Sequence, residues 1–161
     1  MSHTSRITAV KITDLKAFEK AVQDLRKEGL QIEVLHNQVP RAYFDNQDGM
    51  DTPAKQLLRV AGCKYDIALY EIEGERGKHE LRTDFYDSNI AKLLGADRQY
   101  LKTIDRNTDE GREEYQQGQL GKLYQRYAYH ATVAAAMSHG GQIDEVMMPD
   151  GTIQLTIKQA A

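Results

Sequence analysis

The residues best suited to chemistry lie on one face of a helix predicted near the end of the chain. At about 100° per residue, residues 120–137 place Lys122, Arg126 and Tyr129 on one side and His130 at its margin. The arginine offers a planar fork of donors for phosphate or carboxylate, and the tyrosine offers a ring for stacking. The pattern predicts a site for an anionic, nucleotide-type molecule formed by these four residues.

The same face is also typical of a protein contact, where arginine and tyrosine are frequent. A helix that is apolar or aromatic around most of its circumference is normally covered on both sides. We therefore expect this face to be covered by residues 87–114, by a second subunit or by a ligand.

Other reactive side chains are scattered along the sequence. The five histidines lack the close spacing of metal ligands, and the single cysteine, Cys63, rules out a cysteine-cluster metal site and an intrachain disulfide. No base can be assigned to Cys63, and Gly74–Gly77 suits a hairpin turn better than a phosphate loop. We expect no catalytic residue, no enzyme activity, no cofactor and no metal.

Several elements that must position the helix are visible in the sequence. Apolar alternation around Val10 and Ile12 predicts a strand, Asp14 caps a helix that Gly29 ends, and Ile32 opens a second strand. Two further strands, Tyr65–Ile72 and His79–Tyr86, form a hairpin.

The remaining segments have weaker patterns. We expect residues 36–62 to form a long connection, with one or two helical turns at Lys55–Val60. A short helix begins at Asp87, and the charged residues 97–114 form a solvated excursion in which a helix starts near Asp109. A helix at 119–139 and a last hairpin, 143–148 with 152–158, complete the chain.

The element order is thus β-α-β, hairpin, α, hairpin. It predicts an α+β fold with an antiparallel sheet and helices mainly on one face, in a ferredoxin-like arrangement with an added strand or two. We expect one domain over residues 1–161, with an inserted segment at about 87–118. The expected core comprises Val10, Ile12, Phe18, Val22, Ile32, Ile67, Leu69, Leu123, Tyr127, Ala131, Ile153 and Leu155.

Composition limits the classes of function. The 161 residues have a net charge of −3 and a pI near 6.0, which argues against a surface built for nucleic acid, so no DNA partner is expected. The longest apolar run, Val133–Met137, is far shorter than the roughly 20 residues of a membrane span. With no signal-peptide pattern at the start, the predicted location is the cytoplasm.

Short strings resemble one family. They are Ser5-Arg-Ile, Tyr65-Asp-Ile-Ala, Gln125-Arg-Tyr-Ala-Tyr-His130 and Asp150-Gly-Thr-Ile-Gln-Leu. They are similar to the uncharacterised family of cyanobacteria, red-algal plastids and phages known as hypothetical chloroplast reading frame thirty-five, a domain of unknown function. Because some relatives neighbour an ATPase gene, the resemblance implies an AAA-type ATPase as a partner. The long insertion between Tyr86 and Gln119 implies a phage-type or otherwise specialised member.

Two functions follow as hypotheses. The first is a non-enzymatic protein that binds an anionic, nucleotide-type ligand through Lys122, Arg126, Tyr129 and His130, as a sensor or a phage sponge. The alternative is a protein–protein interaction module, either a homo-oligomer or an adaptor of the ATPase. A ligand site should be concave with unpaired arginine and tyrosine groups, whereas a contact face should be flat.

Overall fold

A computed structural model describes residues 4–43, 49–85, 89–138, 140–147 and 153–159 of the chain. Side chains are described for the same residues except 4–9, 141–147 and 153–159. The predicted helix cap Asp87 lies outside the described residues, as do His3 and His139.

The first three elements confirm the predicted β-α-β segment. Strand β1 (Thr4–Ile12) leads into helix α1 (Leu15–Lys27), and strand β2 (Ile32–Gln38) follows. The Asp14 carboxylate accepts a hydrogen bond of 3.0 Å from the Ala17 N–H, which satisfies one of the unpaired donors at the start of α1. Gly29, with φ of 103°, adopts the left-handed conformation that ends the helix.

Three more strands extend the sheet, and one of them corrects the sequence analysis. They are β3 (Ala54–Val60), β4 (Ile67–Glu71) and β5 (His79–Asp84). The β4–β5 hairpin was predicted, but the helical turns expected at Lys55–Val60 are wrong because this segment is a strand. Leu57 and Leu58 are buried in different clusters, so both faces of β3 are covered and the expected alternation is lost.

The five strands form one antiparallel sheet in the order β1-β5-β4-β3-β2. The fold is α+β, as predicted. Strands β1 and β2 lie at opposite edges with three strands between them, so the ferredoxin-like detail is not confirmed.

Four helices follow the sheet: α2 (Asn89–Leu94), α3 (Arg98–Thr103), α4 (Asp109–Gly118) and α5 (Gly121–Ser138). As predicted, a helix starts at Asp109, where Thr108 caps α4 by accepting from the Gly111 N–H at 3.0 Å. None of the described helices combines the length and the apolar character needed to span a bilayer.

The main core lies between the sheet and helices α1, α2 and α5. It includes most of the predicted core, with Val10 and Ala131 partly buried at its margin. The side chains of Ile153 and Leu155, the last two residues of that prediction, lie outside the described part. Near the end of α5, Ala136 is buried, whereas Ala134 and Ala135 are exposed.

The other face of the sheet is covered by the connection between β2 and β3. Met50 from this connection packs with Leu57 and Tyr70. The Tyr70 hydroxyl donates to the Thr52 carbonyl at 2.7 Å, which ties the connection to the sheet. The helices therefore contact one face, and irregular chain covers the opposite one.

The last two strands form a second, smaller sheet. Strands β6 (Gly141–Met147) and β7 (Ile153–Gln159) pair with each other as a two-stranded antiparallel sheet. This confirms the predicted hairpin but not its addition to the main sheet. Both strands contact α5.

Candidate functional site

The four predicted site residues, which we call the α5 patch, lie on the helix that packs against α1. Arg126, Tyr129 and His130 line an open depression together with Asp24, Lys27 and Glu28 of α1 and its end. Lys122 is exposed and does not line this depression. The structure therefore brings together three of the four residues.

Carboxylates from the α1 side already pair with Arg126 and His130 of the α5 patch. Arg126 Nη2 lies 3.3 Å from Glu28 Oε1, and His130 Nε2 lies 2.6 Å from Asp24 Oδ2. The Tyr129 ring meets the His130 ring edge-on, with 4.9 Å between centroids. An anion entering here would have to displace two carboxylates that repel it, so the geometry disfavours anion binding at the patch.

A second cleft combines cations with an aromatic ring, and we call it the basic cleft. It lies between α2, α3 and α4 and has a volume of about 400 Å³. Lys92 comes from α2, Arg98 and Lys102 from α3, Arg106 from the following turn, and Tyr115 from α4. These five polar residues face a cavity whose remaining lining is Ala91, Leu101, Ile104 and Gln119.

The cations of the basic cleft differ from those of the α5 patch in their partners. Within the described part of the chain, no acidic residue lines the basic cleft, and Lys92, Arg98, Lys102 and Arg106 form no ion pair there. The Arg106 guanidinium lies over the Tyr115 ring, 4.6 Å from its centroid. The cleft therefore offers uncompensated positive charge beside an aromatic surface, which is the chemistry that the sequence predicted for α5.

A third cleft, the acidic cleft, lies between α3, α4 and α5 and also has a volume of about 400 Å³. Asp97 and Glu114 line it, and none of its described lining residues is basic. Tyr100 donates a hydrogen bond to the Glu114 carboxylate, and this bond raises the pKa of the Tyr100 hydroxyl. The charge of this cleft excludes it as the site of an anion.

The segment between α2 and α3 packs closely against the junction of α4 and α5, beside the acidic cleft. The Ala96 N–H donates to the Gly118 carbonyl at 2.8 Å. A Cβ atom on Gly121 would come within 2.7 Å of the Ala96 Cβ, so only glycine permits α5 to begin there. The same contacts hold α2, α3 and α4 in the arrangement that forms the basic cleft.

Asp66, just before β4, is a fully buried charged residue. Its carboxylate accepts five hydrogen bonds of 2.8–3.2 Å from Arg41 and Arg59. Burial alone would raise the pKa of Asp66, but the bonds from Arg59 and Arg41 outweigh it and hold the pKa below its ordinary value. We call these three residues the Asp66 cluster, and its saturated carboxylate indicates a structural role.

Metal-ligating side chains are scattered in the fold as well as in the sequence. Among the described residues, no three His, Cys, Asp or Glu side chains come together as metal ligands. Cys63 is buried in the main core, where it packs as a small apolar residue.

Sequence reasoning missed the basic cleft because it interpreted residues 97–114 as a solvated excursion. Residues 97–114 carry several cations and one aromatic residue, Tyr100, and Tyr115 follows directly after them. This combination of cations with a nearby aromatic ring was the available signal. The chain matches no protein-family model, no curated protein and no solved structure, so the family resemblance stays a prediction.

Proposed function

We propose that this protein is a non-enzymatic binding protein for an anionic, nucleotide-type small molecule, and that the ligand occupies the basic cleft. The observation that supports the proposal most is the set of four cations around one cavity without a carboxylate in its described lining. Phosphate groups would accept hydrogen bonds from Arg98 and Arg106, while Lys92 and Lys102 add charge.

The base of a nucleotide also has a matching surface in the basic cleft. Ala91 and Ile104 provide apolar lining, and the stacked pair of Arg106 and Tyr115 provides a flat one. A volume of about 400 Å³ falls in the range of small-molecule sites. Roles as a sensor or as a sequestering protein are both consistent with such binding.

The test is calorimetric titration of the whole chain with AMP and cyclic AMP. Arg98→Ala should weaken binding about ten- to a hundred-fold, because a charge-assisted hydrogen bond contributes about 1.5–3 kcal/mol. Arg76→Ala is the matched control, since Arg76 is exposed in the turn between β4 and β5 and does not line the basic cleft.

Absence of heat with both nucleotides, together with no small molecule released from the denatured protein in mass spectrometry, would refute the proposal. Equal weakening by Arg98→Ala and Arg76→Ala would refute the location, because it would indicate a general effect of charge.

A second candidate function is a protein–protein interaction module at the α5 patch. The depression that the patch lines is open, and the negative charges of Asp24 and Glu28 lie beside the positive charges of Lys27 and Arg126 there, which suits a polar contact between proteins better than a phosphate site. The AAA-type ATPase implied by the family resemblance and the cytoplasmic location both stay predictions. Pull-down with Arg126→Ala and Tyr129→Ala variants would test this function separately, since neither residue lines the basic cleft.

A further inference from the structure

The hairpin of β6 and β7 is a sheet of only two strands, and both strands contact α5. Two strands alone in water are marginally stable, so a hairpin gains stability from a helix packed against it or from further strands. Within the described part of the chain, β6 and β7 pair only with each other, so each has an outer edge of unpaired backbone donors and acceptors. Such an edge is a template for another strand.

We propose that two copies of this chain form a dimer by antiparallel pairing of β7 with β7 of the second copy, centred on Thr156. The result is a four-stranded sheet in the order β6-β7-β7-β6. It does not depend on the basic cleft, which lies on other elements.

The sequence of β7 is compatible with its own antiparallel copy. With Thr156 on the two-fold axis, all seven residues of Ile153–Gln159 find a partner position. Leu155 then lies opposite Ile157 of the partner subunit, and Lys158 lies opposite Gln154 of the partner subunit. No like charges are opposed, and the two-fold symmetry closes the assembly at two subunits.

The outer edge of β6 does not suit the same pairing. Centred on Asp144, β6 would place Asp144 opposite Asp144 of the partner subunit, and like charges at directly opposite positions are destabilising. In the register that pairs all seven residues of the strand, the charge pattern therefore selects β7 as the joining edge and leaves β6 at the outside of the dimer sheet.

An exposed apolar side chain precedes the hairpin. Met137, at the end of α5 just before β6, is 68% exposed, more than the two other exposed large apolar residues of the described part, Val39 and Tyr100. The register of the hairpin pairs Ile143 with Ile157 and Met147 with Ile153. By strand alternation these four positions share one face, which dimerisation would extend across the two-fold axis.

The first test is light scattering combined with disulfide trapping. We expect the mass of a dimer for the unchanged chain, and a Thr156→Cys variant should form a covalent dimer on mild oxidation. The matched control is Asp144→Cys, which occupies the register position opposite Thr156 on the outer strand. In the dimer the two Asp144 positions are three strand spacings apart, about 14 Å, which is beyond the reach of a disulfide.

A monomer mass at all concentrations would overturn the proposal. Trapping by Asp144→Cys as efficient as that by Thr156→Cys would overturn the choice of edge. Both variants retain Cys63, which is buried, so the unchanged chain gives the baseline for trapping through that residue.

A charge pair provides the second test. Thr156→Lys places a cation opposite Asp144 within its own hairpin, which favours the fold, but opposite its own copy across the axis, which opposes the dimer. We expect Thr156→Lys alone to be monomeric, and its mixture with Thr156→Glu to form a mixed dimer. If circular dichroism shows that either variant is unfolded, the cysteine pair decides; a Thr156→Lys variant that is folded and fully dimeric would contradict the proposed axis.

Discussion

The Asp66 cluster and the basic cleft place arginine side chains in opposite situations. In the Asp66 cluster, Arg41 and Arg59 surround a carboxylate that is fully buried and accepts five hydrogen bonds from them. In the basic cleft, Arg98 and Arg106 line a cavity and have no carboxylate partner in the described part of the chain. The difference shows that the function of an arginine is set by what already accepts its hydrogen bonds.

The largest effect on stability is expected from removing the buried carboxylate. Asp66→Asn leaves the shape of the side chain but turns an acceptor oxygen into a donor N–H₂ among the donors of Arg41 and Arg59. We expect a loss of about 3–5 kcal/mol in the free energy of unfolding, measured by chemical denaturation.

The matched control for that prediction is Glu28→Gln, which removes the carboxylate from Arg126 at the surface. Its expected loss is about 0–1 kcal/mol, because exposed ion pairs contribute little. If the two variants lost the same amount, the distinction between the buried and the exposed arginine groups would be wrong.

The pH dependence of stability tests the lowered pKa of Asp66. The pKa of Asp66 is lower in the folded chain than in the unfolded chain, so its contribution is complete above the unfolded value of about 4 and is lost as the pH falls through the folded value. The stability difference between the unchanged chain and Asp66→Asn should therefore narrow in acid. Denaturation curves at pH 7 and at steps below pH 4 measure it, and a constant difference would contradict the lowered pKa.

Salt should act most strongly on the basic cleft. Its four cationic residues are exposed, so ions screen their attraction for a phosphate group, and the Debye length falls from about 10 Å at 0.1 M to about 3 Å at 1 M. We expect the affinity for AMP to fall several-fold over this range in calorimetry. Binding that is insensitive to salt would indicate that the phosphate does not meet these cations.

The sequence predicted the elements whose pattern is local. The strand at Ile12, the Asp14 cap and the Gly29 stop each depend on residues that are close in the sequence, and all three are confirmed. Strand β3 was missed because Leu57 and Leu58 are buried on opposite faces, which removes the alternation that marks a half-buried strand.

The site was harder to predict because it depends on partners distant in sequence. Arg126 and Glu28 meet across a separation of 98 residues, and His130 and Asp24 across 106. Nothing in the sequence around α5 shows that Arg126 and His130 are paired with carboxylates. The basic cleft is likewise assembled from α2, α3, α4 and the turn at Arg106, so no single helix shows the pattern.

The smallest effect is expected at Arg126, and it separates the α5 patch from the basic cleft. Arg126→Ala removes an ion pair whose side chains are 32% and 45% exposed, so the free energy of unfolding should fall by less than about 1 kcal/mol. The affinity for AMP should not change, because Arg126 lines neither the basic cleft nor any surface that the nucleotide contacts there. Calorimetry and denaturation of the variant measure both quantities. A tenfold loss of AMP affinity would move the binding site back to the α5 patch, because an anion would then be contacting Arg126 in spite of Glu28.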